Sequence, residues 1–229
     1  MKRARIVAWL DTTLKVGDFD DVSNNGLQVD ASAGAAGDDG SVTTVAFAVD
    51  ASVRAVEAAA RAGAQLLVVH HGISWGGGIK RVSGGLGRVV RAAIGRQVSI
   101  YACHLPLDAH PTLGNNAQLV KLFGLKKIRP AFSYHGNVIG RVGEKDGYTV
   151  GVCSGGAGEF AEEAKRLGCD VYVTGEASWG DVIAAENCGM KMLCLGHYDT
   201  EVFGVRAVAV AMKRALKVKT VDLTTFLRR

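Results

Sequence analysis

The stretch VTTVAFAVDASVRAVEAAARAGAQLLVVHHG, residues 42–72, decides the fold. Val42–Val49 is a β-branched and aromatic run of strand length. Val53–Ala62 is rich in alanine, with Val53 and Val56 on one face, and predicts a helix that Gly63 stops. Leu66–Val69 is short and wholly apolar, the pattern of a buried strand. Strand, helix and strand of these lengths make a βαβ unit, most simply in a parallel sheet.

Working outward, the unit recurs. At a constant offset of 104, Val45–Gly76 lies over Thr149–Gly180 without a gap, and Ser74-Trp75-Gly76 falls on Ser178-Trp179-Gly180. The second copy reads as strand Tyr148–Cys153, a helix from Gly158 to Leu167, and strand Asp170–Val173. A further block repeats at offset 93: strand Val98–Cys103 ends in His104 with Asp108 four residues on, and strand Met192–Leu195 ends near His197 with Glu201 four residues on. Two blocks recurring in one order favour two similar α/β lobes. We place lobe one at about 1–112, a connecting region at about 113–145 and lobe two at about 146–229.

The connecting region holds a predicted helix, Asn116–Phe123, and a glycine-punctuated strand, Asn137–Val142. Residues 31–40 are small and polar and read as a surface loop, after the turn signal Asn24-Asn25-Gly26. A C-terminal helix is expected over Val202–Lys217 and a last strand over Val218–Leu223.

Composition bounds the rest. The 229 residues carry 27 Lys plus Arg against 22 Asp plus Glu, a net charge of +5, with 48% hydrophobic and 21% charged residues, which excludes disordered and collagen-like chains. Behind Lys2, Arg3 and Arg5 the apolar run Ile6–Leu10 is too short for a secretory signal or a membrane span. Five cysteines without a CxxC spacing do not make a disulfide framework, so reducing cytoplasm is the expected location. The basic tail of Lys213, Arg214, Lys217, Lys219, Arg228 and Arg229 reads as a solvated face rather than a nucleic-acid surface, since no zinc finger or aromatic RNA-binding signature accompanies it.

Three motifs follow three strand ends: His70-His71, His104-x-x-x-Asp108 and His197-x-x-x-Glu201. Loops leaving the carboxyl ends of parallel strands gather at the ligand crevice. Imidazole and carboxylate suit zinc, iron and manganese. Two adjacent histidines at a strand's end, before Gly72, diverge modestly and can serve two ions. Four of the six histidines sit at strand ends, two of them with acids at equal spacing; from spacing alone, metal binding and helix-start hydrogen bonding are equal readings.

The stretches Val68–Gly72, Cys103–Pro111, Gly114–Leu119 and Gly196–Glu201, with Asn24–Leu27 and Thr174–Glu176, resemble the signatures of the Nif-three-like dinuclear metal-centre family, the GTP cyclohydrolase type 2 homologues, in its short form without an inserted domain. The resemblance covers nearly the whole chain. It implies a single Nif-three-like domain in which two α/β lobes face each other across a dinuclear metal site. It also implies two divalent ions per subunit, held by His70, His71, Asp108, His197 and Glu201: His71 and Asp108 on one ion, His70 and His197 on the other, with Glu201 bridging. A toroidal homohexamer, a trimer of dimers, is implied as well.

The activity that follows is water-driven hydrolysis of a C–N bond in a nucleotide or other small molecule; the alternative is a non-catalytic metal-binding scaffold, regulatory or metal-handling protein. His104 is outside the family's usual ligands; it could orient Asp108, shuttle a proton or merely satisfy a turn, and we expect it to support the metal site. Cys103 and Cys194 are expected as buried fillers, His110 as a turn residue. Ser154-Gly155-Gly156-Ala157-Gly158 joins a strand to a helix and lacks both nucleotide fingerprints, so a tight turn is favoured over a phosphate cradle. The family often carries an acid and a histidine where Trp179 and Ile183 stand here.

Overall fold

A computed structural model describes residues 1–31 and 40–228, so the loop expected over 31–40 lies, but for its two ends, outside the described residues. In chain order come α1 (Arg3–Leu14), β1 (Gly26–Val29), β2 (Thr44–Asp50), α2 (Val53–Arg61), β3 (Leu66–His71), α3 (Gly84–Gly95) and β4 (Ser99–Ala102). Then follow α4 (Leu105–Ala109), α5 (Asn115–Phe123), β5 (Lys126–Tyr134), β6 (Asn137–Lys145), β7 (Tyr148–Cys153), α6 (Ala161–Arg166) and β8 (Val171–Thr174). The last are α7 (Trp179–Asn187), β9 (Lys191–Cys194), α8 (His197–Leu216), β10 (Lys219–Asp222) and α9 (Thr224–Leu227). The fold is α/β, and the described residues form two five-stranded sheets ordered β1-β4-β3-β2-β10 and β5-β6-β7-β8-β9. They belong to two compact units, Met1–Pro106 with Val205–Arg229, and Leu107–Gly204.

In unit one, β10, β2, β3 and β4 run parallel, and β1 closes one edge antiparallel to β4. Strands covered on both faces read as continuous apolar runs, and Leu66, Leu67, Val68 and Val69 are accordingly buried. Helix α2 starts where Ser52 Oγ accepts the Ala55 N–H at 3.1 Å, a capping bond of about 1 kcal/mol. It ends before Gly63, whose φ of 74° only glycine adopts freely. Its Ala55, Val56 and Ala59 pack with Ala46, Ala48, Leu67 and Val69 of the sheet.

Unit two has the same three-strand parallel centre, β7-β8-β9, extended by the antiparallel pair β6 and β5. His135 and Gly136, at φ 47° and 75°, form the two-residue turn between β5 and β6, the geometry that matches strand twist. Leu119 and Val120 of α5 pack on Val152 and Val173.

The repeat is visible in strand register. Val45 pairs with Leu66 and Val150 with Val171, so both βαβ units set partners 21 positions apart. The third strands differ slightly: Leu67 faces Ile100, whereas Val171 faces Lys191, two residues short of the position the second offset predicts. A two-residue slip keeps every side chain on its face.

Several boundaries depart from the sequence expectation. The predicted 158–167 helix is a 3-10 turn, Gly158–Phe160, followed by α6. Helix α8 starts at His197 rather than Val202, because Gly196 at φ 100° turns the chain after β9 and Asp199 lies in the favourable first turn. β10 pairs with β2, so the C-terminal strand joins the first sheet, and β5 and β6 of the connecting region belong to the second. Cys103 is buried as expected, but Cys194, on the edge strand β9, is exposed. Among the described residues no helix is long and apolar enough to cross a membrane. Lys213, Arg214, Lys217, Lys219 and Arg228 are exposed.

Candidate metal centre

In unit one the strand ends gather three imidazoles. His70 is fully buried at the end of β3, with Nδ1 2.9 Å from the Cys103 carbonyl oxygen. A carbonyl only accepts, so Nδ1 carries the proton and Nε2 the lone pair. His71 Nδ1 lies 2.9 Å from Oδ1 of Asp50, its register partner on β2. His104 Nδ1 lies 2.8 Å from Asp21 Oδ1. The ring centroids of His70 and His71 are 4.6 Å apart, and those of His104 are 5.1 and 5.7 Å from them. One ring nitrogen of each of the three falls within 4.8 Å of the others.

Asp21 anchors His104 more broadly. Its Oδ2 accepts the Leu105 N–H at 2.9 Å, at the start of α4, while Asn25 Oδ1 accepts the His104 N–H at 2.8 Å. Burial pushes the Asp21 carboxyl upward, but the His104 hydrogen bond and charge, with bonds from Ser23 N–H and the Asn25 amide, outweigh it and hold the pKa at about 2.

Unit two holds two buried carboxylates of its own. Asp108 and Glu201 are buried, and they offer oxygens within 4.8 Å of each other. Asp108 Oδ1 accepts from Asn115 Nδ2 at 2.8 Å and from Ser154 Oγ at 3.0 Å. Asn115 is in turn fixed by the Gly204 N–H of α8 at 2.7 Å. His197 opens α8, and Glu201 one turn later lies on the same face. His197 Nδ1 is 3.0 Å from Glu176 Oε1, and Nε2 is 3.2 Å from Glu201 Oε1.

The 154–158 loop is a tight turn with three of its amides engaged internally. The Ser154 N–H goes to Asn116 Oδ1, Gly155 N–H to Thr200 Oγ1 and Ala157 N–H to Thr174 Oγ1. A Cβ on Gly155 would collide with the Glu201 carboxylate, so this glycine lets the turn lie against a buried acid, where an anion would be repelled. His110 is structural, its Nδ1 accepting the Thr112 and Leu113 N–H groups.

This donor set fits divalent metal. Two buried carboxylates this close repel, and a cation offsets that cost. All four strand-end histidines have Nδ1 held by an oxygen of Cys103, Asp50, Asp21 or Glu176. This is how metal-binding imidazoles are oriented to present Nε2. Sequence reading missed Asp21 and Asp50 as orienting groups. The 21-position parallel register would have placed Asp50 beside His71; Asp21 left no comparable signal.

An α/β protein with imidazoles at its strand ends and buried carboxylates on the helices that follow is a candidate metalloprotein. The model of the Duf34/NIF3 (NGG1p interacting factor 3) family matches residues 1–147 and 137–227, and the chain belongs to that family. It is 38% identical over 251 residues to a GTP cyclohydrolase 1 type 2 homolog of Pyrococcus horikoshii, covering 96% of this chain and 97% of the relative. The solved TTHA1606 of Thermus thermophilus is 28% identical, with a TM-score of 0.81 over 97% of this chain and 98% of that one. Protein ybgI, described as of unknown function, is 26% identical, with a TM-score of 0.86 over 98% of each chain.

Proposed function

We propose that the chain is a dinuclear metal-dependent hydrolase acting on a C–N bond of a nucleotide or other small molecule. His70, His71, Asp108, His197 and Glu201 would hold two ions of zinc, iron or manganese. The observation that carries this reading is the set of four imidazoles, each with Nδ1 tied to an oxygen. Bound there, the ions would supply an acidified water and polarise the bond under attack. Asn115 and Ser154 hold the Asp108 carboxylate from its Oδ1 side, and Glu176 fixes the His197 ring. His104 is the proposed catalytic partner: with Nδ1–H on Asp21, its Nε2 is the atom offered to substrate or water. The nucleotide assignment draws on the names borne by the relatives.

Metal content per chain, measured by mass spectrometry on untagged protein purified without chelators, tests the proposal. Close to two ions are expected; near zero, with no uptake of zinc, manganese or ferrous iron, overturns it. A metallated protein that hydrolyses no nucleotide, phosphoester or cyclic amide would be the scaffold or metal-handling protein instead. We further propose a homohexamer, which a light-scattering mass near one subunit would refute. The cytoplasm is the proposed location, where cysteines stay reduced, and nucleic acid is not a proposed partner.

A further inference from the structure

Trp75 borders the three-histidine cluster of unit one and is 39% exposed. Its ring centroid is 6.0 Å from that of His71 and 5.1 Å from that of His104, which it meets at 76°. The indole is held in place. Its Nε1–H donates to the Gly72 carbonyl at 3.1 Å, and the strap that carries it is pinned along its length. The Gly76 N–H bonds Val22 O at 2.6 Å and the Asn24 N–H bonds Ser74 O at 3.0 Å. Gln28 Oε1 accepts the N–H groups of Ile73 at 2.6 Å and Ser74 at 3.3 Å. With its single donor engaged by Gly72, Trp75 offers a partner only its π-face and apolar edge.

We infer that Trp75 is a stacking platform for the planar heteroaromatic ring of the substrate, a purine-type base, which it sets beside His71 and His104. The inference rests on the hydrolase reading and names that site's substrate class. A flat, immobilised ring suits a partner with a π-face and does little for a sugar phosphate alone. Because the strap is already ordered, stacking on it costs little further side-chain entropy. The repeat-equivalent Trp179, 76% exposed at the start of α7 in unit two, serves as the control position.

Calorimetric titration of the full chain with guanosine 5′-monophosphate and with ribose 5-phosphate, alongside metal analysis, tests it. The parent should bind the nucleotide. Trp75→Leu should weaken it about tenfold and Trp75→Phe only about threefold, while ribose 5-phosphate binding and metal content stay at the parent's level. The platform is refuted if the parent does not bind the nucleotide, or if Trp75→Leu binds it as tightly. It is equally refuted if Trp179→Leu causes the same loss, or if both Trp75 variants shed metal. A parent that takes up no zinc, manganese or ferrous iron yet binds the nucleotide through Trp75 would sink the hydrolase reading and leave the platform standing.

Discussion

The two βαβ units share a register and end differently. Position for position, Asp50, His70 and His71 of the first correspond to Ser154, Thr174 and Gly175 of the second. In the first unit an acid orients an imidazole across neighbouring strand ends. In the second the strand ends satisfy themselves: Thr174 Oγ1 donates to the Gly155 carbonyl at 3.1 Å and accepts the Ala157 N–H at 3.2 Å. The chemistry of unit two comes instead from Asp108 on α4 and from His197 and Glu201 on α8. A duplicated scaffold thus repeats its packing while the candidate ligands stand on different elements in the two units.

The sharpest break between the units is metal. His70→Ala and Glu201→Ala should each lower metal content by about half or more, since the proposed two-ion site would need its full ligand set. Thr174→Val, at the position equivalent to His70, should leave it unchanged. Equal losses in the threonine variant would erase the distinction.

The next effect is steric. A Cβ on Gly175 would come 2.6 Å from the Gly155 carbonyl oxygen and Thr200 Oγ1 and 2.9 Å from His197 Cα. Gly175→Ala should therefore cost about 1–3 kcal/mol, seen as a melting temperature lower by roughly 2–4 °C per kcal/mol.

A third test is acid stability. Asp21 is held at about 2, below its ordinary 3.8, so its stabilisation is complete above pH 4 and is lost as pH falls through 2. Asp21→Asn should remove that acid limb from a chemical-denaturation series; an unchanged series would mean Asp21 does not stabilise the fold through its charge.

The smallest effect has opposite signs at equivalent positions. Gly76 has φ 52°, so Gly76→Ala should destabilise by about 1 kcal/mol. Gly180 lies in α7, where an added Cβ meets only Ser178 Oγ at 3.6 Å, so Gly180→Ala should stabilise by up to about 1 kcal/mol. Melting curves of the two variants moving the same way would contradict the geometry.

What the sequence made legible was local. The run from Val42 to Val69 declares strand, helix and strand through periods that neighbouring residues set, and the same logic put histidines at strand ends. What escaped it depends on distant partners. Asp21 meets His104 across 83 positions, and nothing near either residue announces the pair. Helix α3 was missed because GGLGRVVRAAIG carries three glycines in its first four residues and one at its end, which reads as loop. The place of β10 beside β2 escaped because it comes from the sheet, not from the strand's own short pattern.

The pairing of β10 with β2 also sets an order of events during synthesis. Lys219 lies beside Thr44, 175 positions away, whereas the strands of the second sheet all fall between Lys126 and Cys194. A chain leaving the ribosome can therefore complete the second sheet first, while β2, one of the most apolar strands, waits as an unprotected edge. Edges of that kind recruit other strands, and long-range closures are slow. The four residues Lys219–Asp222 thus cover the β2 edge only after every strand of the second sheet has been made, and until then that edge is open to other strands.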